Sequence, residues 1–182
     1  MRSLFPVLML AVLLTQACVE KKKESQTVSV SDSETPVTSD NARLPFPVYD
    51  YEGLEPLLRQ ENDTTYIVNF WATWCKPCIE EMPYFEKTYA ERKSEKVALV
   101  FVSLDMPSMW QKRLVPFVEK KGLKGQVVIL DDTKMNDWIP KIAPDWGGGI
   151  PATLIYNRDQ RQFYEQGFTY ETLNSELEKF IR

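Results

Sequence analysis

The sequence predicts an α/β fold, a three-layer sandwich with helices on both faces of a mixed central sheet. Three observations predict it. From about residue 46 onward, strand-like and helix-like segments alternate. Val97 to Leu104 (VALVFVSL) is apolar along nearly its whole length, as a strand covered on both faces is. Near the end, two strand-like segments flank Arg158-Asp159, which adds a hairpin to an otherwise parallel sheet.

Taken in order, Pro47 to Tyr51 reads as a short edge strand. Gly53 to Glu61 places Leu54, Leu57 and Leu58 on one helical face. Asn62-Asp63 makes a turn. Thr65 to Ala72 (TYIVNFWA) is β-branched and aromatic, which suits a buried central strand. Residues 76 to about 93 read as a helix with Met82, Phe85 and Tyr89 at helical spacing. Val97 to Leu104 follows as a strand. Ser108 to Lys121 is a second amphipathic helix, interrupted at Pro116, and Val127 to Leu130 a strand. Asp137 to Ile142 is a short helix, Thr153 to Asn157 and Gln162 to Gly167 form the hairpin, and Tyr170 to Ile181 closes the chain as a helix.

The amino terminus reads as an address. Met1-Arg2-Ser3 is short and positive, and Leu4 to Leu14 (LFPVLMLAVLL) is an apolar run of eleven residues. A helical membrane span needs about 20, so an export signal over residues 1–17 fits better. The run ends Leu14-Thr15-Gln16-Ala17-Cys18. A small residue before a cysteine resembles the bacterial lipoprotein box, in which that cysteine is lipidated and begins the mature chain. Cys18 is therefore the expected lipid attachment site, in preference to a stray thiol left by ordinary cleavage. Residues 18–45 mix charge with Ser, Thr and Pro and lack aromatic residues, which predicts a flexible tether rather than a surface strand over Thr27–Ser31. The folded domain is expected over 46–182.

Composition narrows the chemistry. The 182 residues are 43% hydrophobic and 26% charged, enough for one domain with a core. A net charge of −4 gives no electrostatic reason to expect a nucleic-acid partner. The sequence contains no histidine, which removes Ser-His-Asp and Cys-His catalysis, histidine metal sites and histidine haem ligation.

What remains centres on Trp74-Cys75-Lys76-Pro77-Cys78. Two cysteines three apart, where a strand passes into a helix, can close a small disulfide ring. Cys75 then sits at the helix amino terminus, where free N–H groups and the macrodipole favour a thiolate. A thiolate attacks a disulfide and the second cysteine resolves the mixed disulfide. Pro77 fits a first helical turn, where its missing N–H is not needed. A four-thiolate zinc site would need two more cysteines; the chain has three in all. A purely structural clip is the plainer alternative.

Asn69-Phe70-Trp71-Ala72-Thr73-Trp74-Cys75-Lys76-Pro77-Cys78, followed by Glu80-Glu81-Met82-Pro83, resembles the active-site segment of thioredoxins, and most of all that of the membrane-anchored, extracytoplasmic TlpA/ResA-like branch. The resemblance runs over roughly residues 46–182. It implies a thioredoxin-like fold, a catalytic pair Cys75 and Cys78, and a kink at Pro83. Gly147-Gly148-Gly149-Ile150-Pro151-Ala152-Thr153 resembles the family's cis-proline loop, which faces the disulfide and offers the backbone of the preceding residue to substrate. Trp74, Ile150 and Pro151 are the expected substrate-binding residues. The glycine run is not a phosphate loop, because no Gly-Lys-Ser/Thr follows.

One departure is informative. Thioredoxin has a buried aspartate six residues before its first cysteine; here that residue is Asn69, which cannot titrate. In the extracytoplasmic branch a glutamate three residues after the second cysteine resembles a replacement acid, and that position is Glu81, one turn from Cys78. Glu81 is the expected proton handler, against the alternative of a solvated helix carboxylate. Asp131, Asp132 and Asp145 read as turn formers rather than a cation site. Trp138, Trp110, Phe163 and Phe168 read as core, with Trp146 beside the glycine loop.

The resemblance thus implies an envelope thiol–disulfide oxidoreductase that needs no cofactor beyond the Cys75–Cys78 pair. The reductase direction is expected, in cytochrome c maturation or disulfide repair. Partners would be protein thiols and disulfides, a membrane electron donor and a membrane reached through a lipid; a monomer is expected. A thiol peroxidase is one alternative, but the Pro-x-x-x-Thr-x-x-Cys pattern of peroxidatic cysteines is missing, since Thr73 lies two residues before Cys75. A redox-silent binding lipoprotein on the same scaffold is the other.

Overall fold

A computed structural model describes residues 44–181; the expected export signal, most of the tether and Cys18 lie outside the described residues. Six strands form one sheet in the order β1-β4-β3-β2-β5-β6. They are β1 (Val48–Tyr49), β2 (Thr65–Trp71), β3 (Val97–Ser103), β4 (Gln126–Leu130), β5 (Ala152–Tyr156) and β6 (Arg161–Tyr164). The pairs β1–β4, β4–β3 and β3–β2 are parallel, while β2–β5 and β5–β6 are antiparallel. The mixed sheet expected from the terminal hairpin is present.

Side-chain alternation along the central strands divides the core in two. Ile67, Trp71, Leu99 and Phe101 pack with Met82, Phe85, Leu114 and Leu173 on one face. Val68, Phe70, Val100 and Val102 pack with Leu54, Trp138 and Ile142 on the other. The first face is covered by α2 (Lys76–Glu91), by α4 (Val115–Lys121) with the segment Trp110–Leu114 before it, and by α6 (Tyr170–Leu177); α3 (Pro107–Met109), just ahead of that segment, buries no residue. The second is covered by α1 (Tyr51–Leu54) and α5 (Met135–Ile142). Leu44, at the end of the expected tether, and Phe46 already pack against the first core.

Two helical segments differ from expectation at a proline or a cap, and two others only in their ends: α5 starts at Met135 rather than Asp137, and α6 stops at Leu177 rather than Ile181. The first begins at Tyr51 rather than Gly53, because the Asp50 carboxylate accepts the Gly53 amide at 2.8 Å and caps it. Pro56 then stands in a tighter 3₁₀ turn, Glu55–Leu58, so the segment stops short of Glu61. Pro116 does not break the helix it occupies. A π turn over Trp110–Leu114 precedes it, in which the Val115 amide reaches back to the Trp110 carbonyl. Wider hydrogen bonding upstream absorbs the donor that proline lacks. Pro83, by contrast, lies inside the uninterrupted α2.

Among the described residues, no helix is long and apolar enough to cross a membrane.

Candidate active site

β2 ends at Trp71, a turn follows, and α2 begins at Lys76. Cys75 is the residue that caps α2: its backbone is extended, and its sulfur accepts the Cys78 amide at 3.3 Å. A turn hydrogen bond from the Cys75 amide to the Ala72 carbonyl, 3.0 Å long, holds the approach. Cys75 and Cys78 are joined by a disulfide with their Cα atoms 5.3 Å apart. Cys78 is fully enclosed, whereas Cys75 keeps 5% of its surface, so of the two cysteines only Cys75 has any exposed surface.

Trp74, just before that sulfur, is 53% exposed, a large aromatic surface left uncovered. It walls a groove of about 370 Å³ together with Met106, Pro107, Met135, Gly148 and Ile150. The Ile150–Pro151 peptide is cis. Trp74 and Ile150, which are far apart in sequence, thus line one cavity, while Pro151 follows behind and approaches Gly167.

Glu81 lies on the inward stripe of α2 with Cys78, Met82 and Phe85, and only 3% of it is exposed. The solvated alternative is excluded. Its carboxylate accepts the Asn69 side-chain amide at 2.9 Å and the Phe168 backbone amide at 2.8 Å. Burial nevertheless dominates and pushes its pKa up to about 7, against the pull of those two donors. Asn69 reaches it because it sits in β2 on the face toward α2, opposite Thr153 of β5, to whose hydroxyl the same amide nitrogen also donates at 3.1 Å. Glu80 is exposed and lies 3.6 Å from Lys76.

A disulfide capping a helix, next to a cis-proline loop, on a sheet of this order has known counterparts. The AhpC/TSA family model matches residues 45–161. The chain belongs to the AhpC/TSA family. Its relatives include thiol-disulfide oxidoreductase ResA of Bacillus thuringiensis subsp. konkukian, 36% identical over 138 residues, which are 75% of this chain and 73% of the relative. ResA of Bacillus anthracis is 33% identical over 115 residues, covering 63% of this chain and 61% of that protein, so the chain spans about three fifths of such relatives. Among solved structures, StoA from Bacillus subtilis superposes with a TM-score of 0.50 at 25% identity, over 63% of this chain and 83% of StoA. A thioredoxin-related protein from Neisseria meningitidis serogroup B gives 0.56 at 23% identity, over 65% and 86%. The fold is thioredoxin-like.

Two carboxylates of this AhpC/TSA member escaped the reading of its sequence. Asp105, just past the carboxyl end of β3, is buried. It accepts the Thr73 amide at 3.0 Å, the Thr73 hydroxyl at 2.5 Å and the Ser103 hydroxyl at 2.9 Å, and so ties down the turn before Cys75. Its own carbonyl accepts the Trp110 indole N–H at 2.7 Å. The one available signal was position, because sites of open α/β sheets gather at the carboxyl ends of parallel strands. Glu165, just past β6, accepts the amides of Gly147 and Gly149, and no local pattern announces that contact.

The aromatic expectations hold in part. Trp138, Trp146 and Phe168 are buried, whereas Trp110 and Phe163 are half-buried. The Trp146 indole donates to the Gly149 carbonyl at 2.9 Å, which puts it beside the glycine loop. Asp132 acts in a turn, accepting the Lys134 amide at 2.9 Å, and also accepts the Tyr51 amide at 3.2 Å.

Proposed function

We propose that this chain is a thiol–disulfide oxidoreductase for cysteine pairs of other proteins, acting as a reductase outside the cytoplasm. The observation that carries the reading is the Cys75–Cys78 disulfide seated at the start of α2, with Cys78 enclosed and Cys75 the one of the two that keeps exposed surface. In the reduced protein, the Cys75 thiolate, favoured by the free N–H groups of the helix start, attacks one sulfur of a substrate disulfide. A mixed disulfide forms and the other substrate sulfur leaves as a thiolate that takes up a proton. Cys78 then loses its proton and attacks the Cys75 sulfur. The substrate departs as a dithiol, and the protein is left with the Cys75–Cys78 disulfide; two electrons have passed to the substrate.

Glu81 is the group proposed to accept the Cys78 proton, since the chain has no histidine and Asn69 cannot titrate. A carboxyl with a pKa near 7 is suited to that exchange at neutral pH. Trp74, Ile150 and Pro151 are proposed to contact the substrate, with an extended stretch of it lying in the groove. The names of the relatives support the reaction class. Cytochrome c maturation or repair of wrong disulfides, a membrane electron donor, a lipid on Cys18 that holds the chain in a bacterial envelope, and a monomeric state complete the proposal.

Reduction of insulin disulfides by the full chain tests the reading. The parent should turn over, Cys75→Ser should abolish turnover, and Cys78→Ser should accumulate mixed disulfides. Consumption of hydrogen peroxide without disulfide reduction would move the chain to the peroxidases, and inactivity in both assays to the binding proteins. For the anchor, Cys18→Ser should shift the protein from the membrane to the soluble envelope fraction; retention without Cys18 counts against the lipid.

A further inference from the structure

The loop that brings Ile150 to the groove is held by a side chain from another part of the chain. The Glu165 carboxylate accepts the Gly147 amide at 2.8 Å on one oxygen and the Gly149 amide at 2.7 Å on the other. Two backbone amides converging on one anion form a small nest, a motif that elsewhere binds free anions. Here the chain supplies the anion itself. A Cβ on Gly149 would lie 2.6 Å from a Glu165 oxygen and one on Gly147 3.2 Å, so a side chain at either position would push the carboxylate off the amides. Gly148, between them, has φ +89°, which L side chains rarely adopt. The Trp146 indole meanwhile takes the Gly149 carbonyl, so both polar groups of Gly149 are engaged.

We propose that Glu165 is a positioning residue for substrate: by taking both glycine amides it fixes the loop that presents the Ile150 backbone to a polypeptide bound along the groove. The inference rests on the oxidoreductase reading above. Gly148 and Ile150 line the groove and Glu165 does not, so Glu165 acts only through the loop. It has no part in the sulfur chemistry. Its effect should therefore fall on binding of protein substrates and spare small disulfides, which reach Cys75 without needing the loop.

Glu165 is exposed, so its truncation leaves the core intact. In Glu165→Ala of the full chain, amide exchange at Gly147 and Gly149, followed by NMR, should accelerate roughly tenfold, about what loss of a charge-assisted hydrogen bond gives. The KM for insulin should rise roughly five- to tenfold, with kcat and the rate on 5,5′-dithiobis(2-nitrobenzoate) within about twofold of the parent. Glu165→Gln, which keeps one acceptor oxygen, should fall between. Unchanged glycine exchange in both variants overturns the proposal, as does equal slowing on the protein and the small disulfide. If the parent reduces neither disulfide, the oxidoreductase reading fails, while the exchange measurement still decides whether Glu165 holds the loop.

Discussion

A carboxyl enclosed as Glu81 is gives up its proton reluctantly, and that reluctance should show in stability as well as in the proposed proton transfer. Its pKa rises from an ordinary 4.5 to about 7 on folding, with burial as the leading cause. Between those values the folded chain holds a proton that the unfolded chain has released. The associated stability is full below about 4.5, falls as pH rises, and is gone above about 7. A shift of that size corresponds to something on the order of 3 kcal/mol. Urea titrations from pH 4 to 8 should show this slope in the parent and a flatter line in Glu81→Gln. The same variant should slow disulfide reduction most near neutrality, with Glu80→Gln as the unaffected control. Equal slopes and rates would reduce Glu81 to a buried carboxyl without a role. A second test concerns the turn before Cys75. Asp105→Ala strands the Thr73 amide and the Thr73 and Ser103 hydroxyls, and should cost roughly 2–3 kcal/mol. Thr73→Val, which removes one of those donors, should cost about half as much, and thermal unfolding of both reads the difference. Cys75, Cys78 and Glu81 were legible because they fall within two turns of one helix. Asp105 and Glu165 were not: Thr73 lies 32 residues from Asp105, and Gly147 and Gly149 lie 18 and 16 residues from Glu165, so only the packed sheet brings them together.

At the scale of elements, the strands were the easiest to read. β2 and β3 are buried on both faces, so their residues are apolar almost throughout and no competing period blurs them. Helix ends were harder, because they depend on caps and prolines rather than on period. The hydroxyl and carboxylate caps of Thr169 and Asp50, and the π turn ahead of Pro116, are each set by one or two hydrogen bonds that spacing does not encode. Close approach between strands is equally hidden. Gly125, just before β4, leaves no room for a side chain: a Cβ there would meet the Leu99 Cγ at 2.8 Å and the Phe101 Cε2 at 2.9 Å. Both neighbours belong to the core, so neither can swing away. Gly125→Ala should destabilise the domain by roughly 1–3 kcal/mol through overpacking. A midpoint of urea unfolding equal to the parent's would mean that β3 and β4 separate more readily than their packing implies.

For the whole molecule, the topology explains why the candidate site gathers at one end of the sheet. β2 and β3 run parallel in the centre, and their carboxyl ends deliver the Cys75 turn and Asp105 side by side. β5 runs the other way and starts just after Pro151, which brings the cis-proline loop to the same end. Alternation of strands and helices implied the layered mixed sheet, and the resemblance of Gly147–Thr153 to the family's cis-proline loop implied a loop facing the disulfide. The side chains that hold the turn and the loop were beyond both. A monomer is the expected state in solution. Sedimentation of the full chain in detergent across a hundredfold concentration range should give one unchanging coefficient, and a rising one would point to a self-association surface.

The two outermost strands are also among the shortest. β1 has two residues and follows Pro45 and Pro47, and β6 has four. A sheet edge is a template for another chain, and its hazard grows with the number of free backbone rungs it offers in a row. This sheet offers few on either side, and two prolines beside β1 remove further donors. The benefit is greatest where copies meet often. Under the proposed anchoring by a lipid on Cys18, molecules would collide in two dimensions at high local density, repeatedly and in similar orientations. Blunt edges would let such a layer stay fluid, each domain free to turn its sulfur toward a passing client instead of zipping to its neighbour.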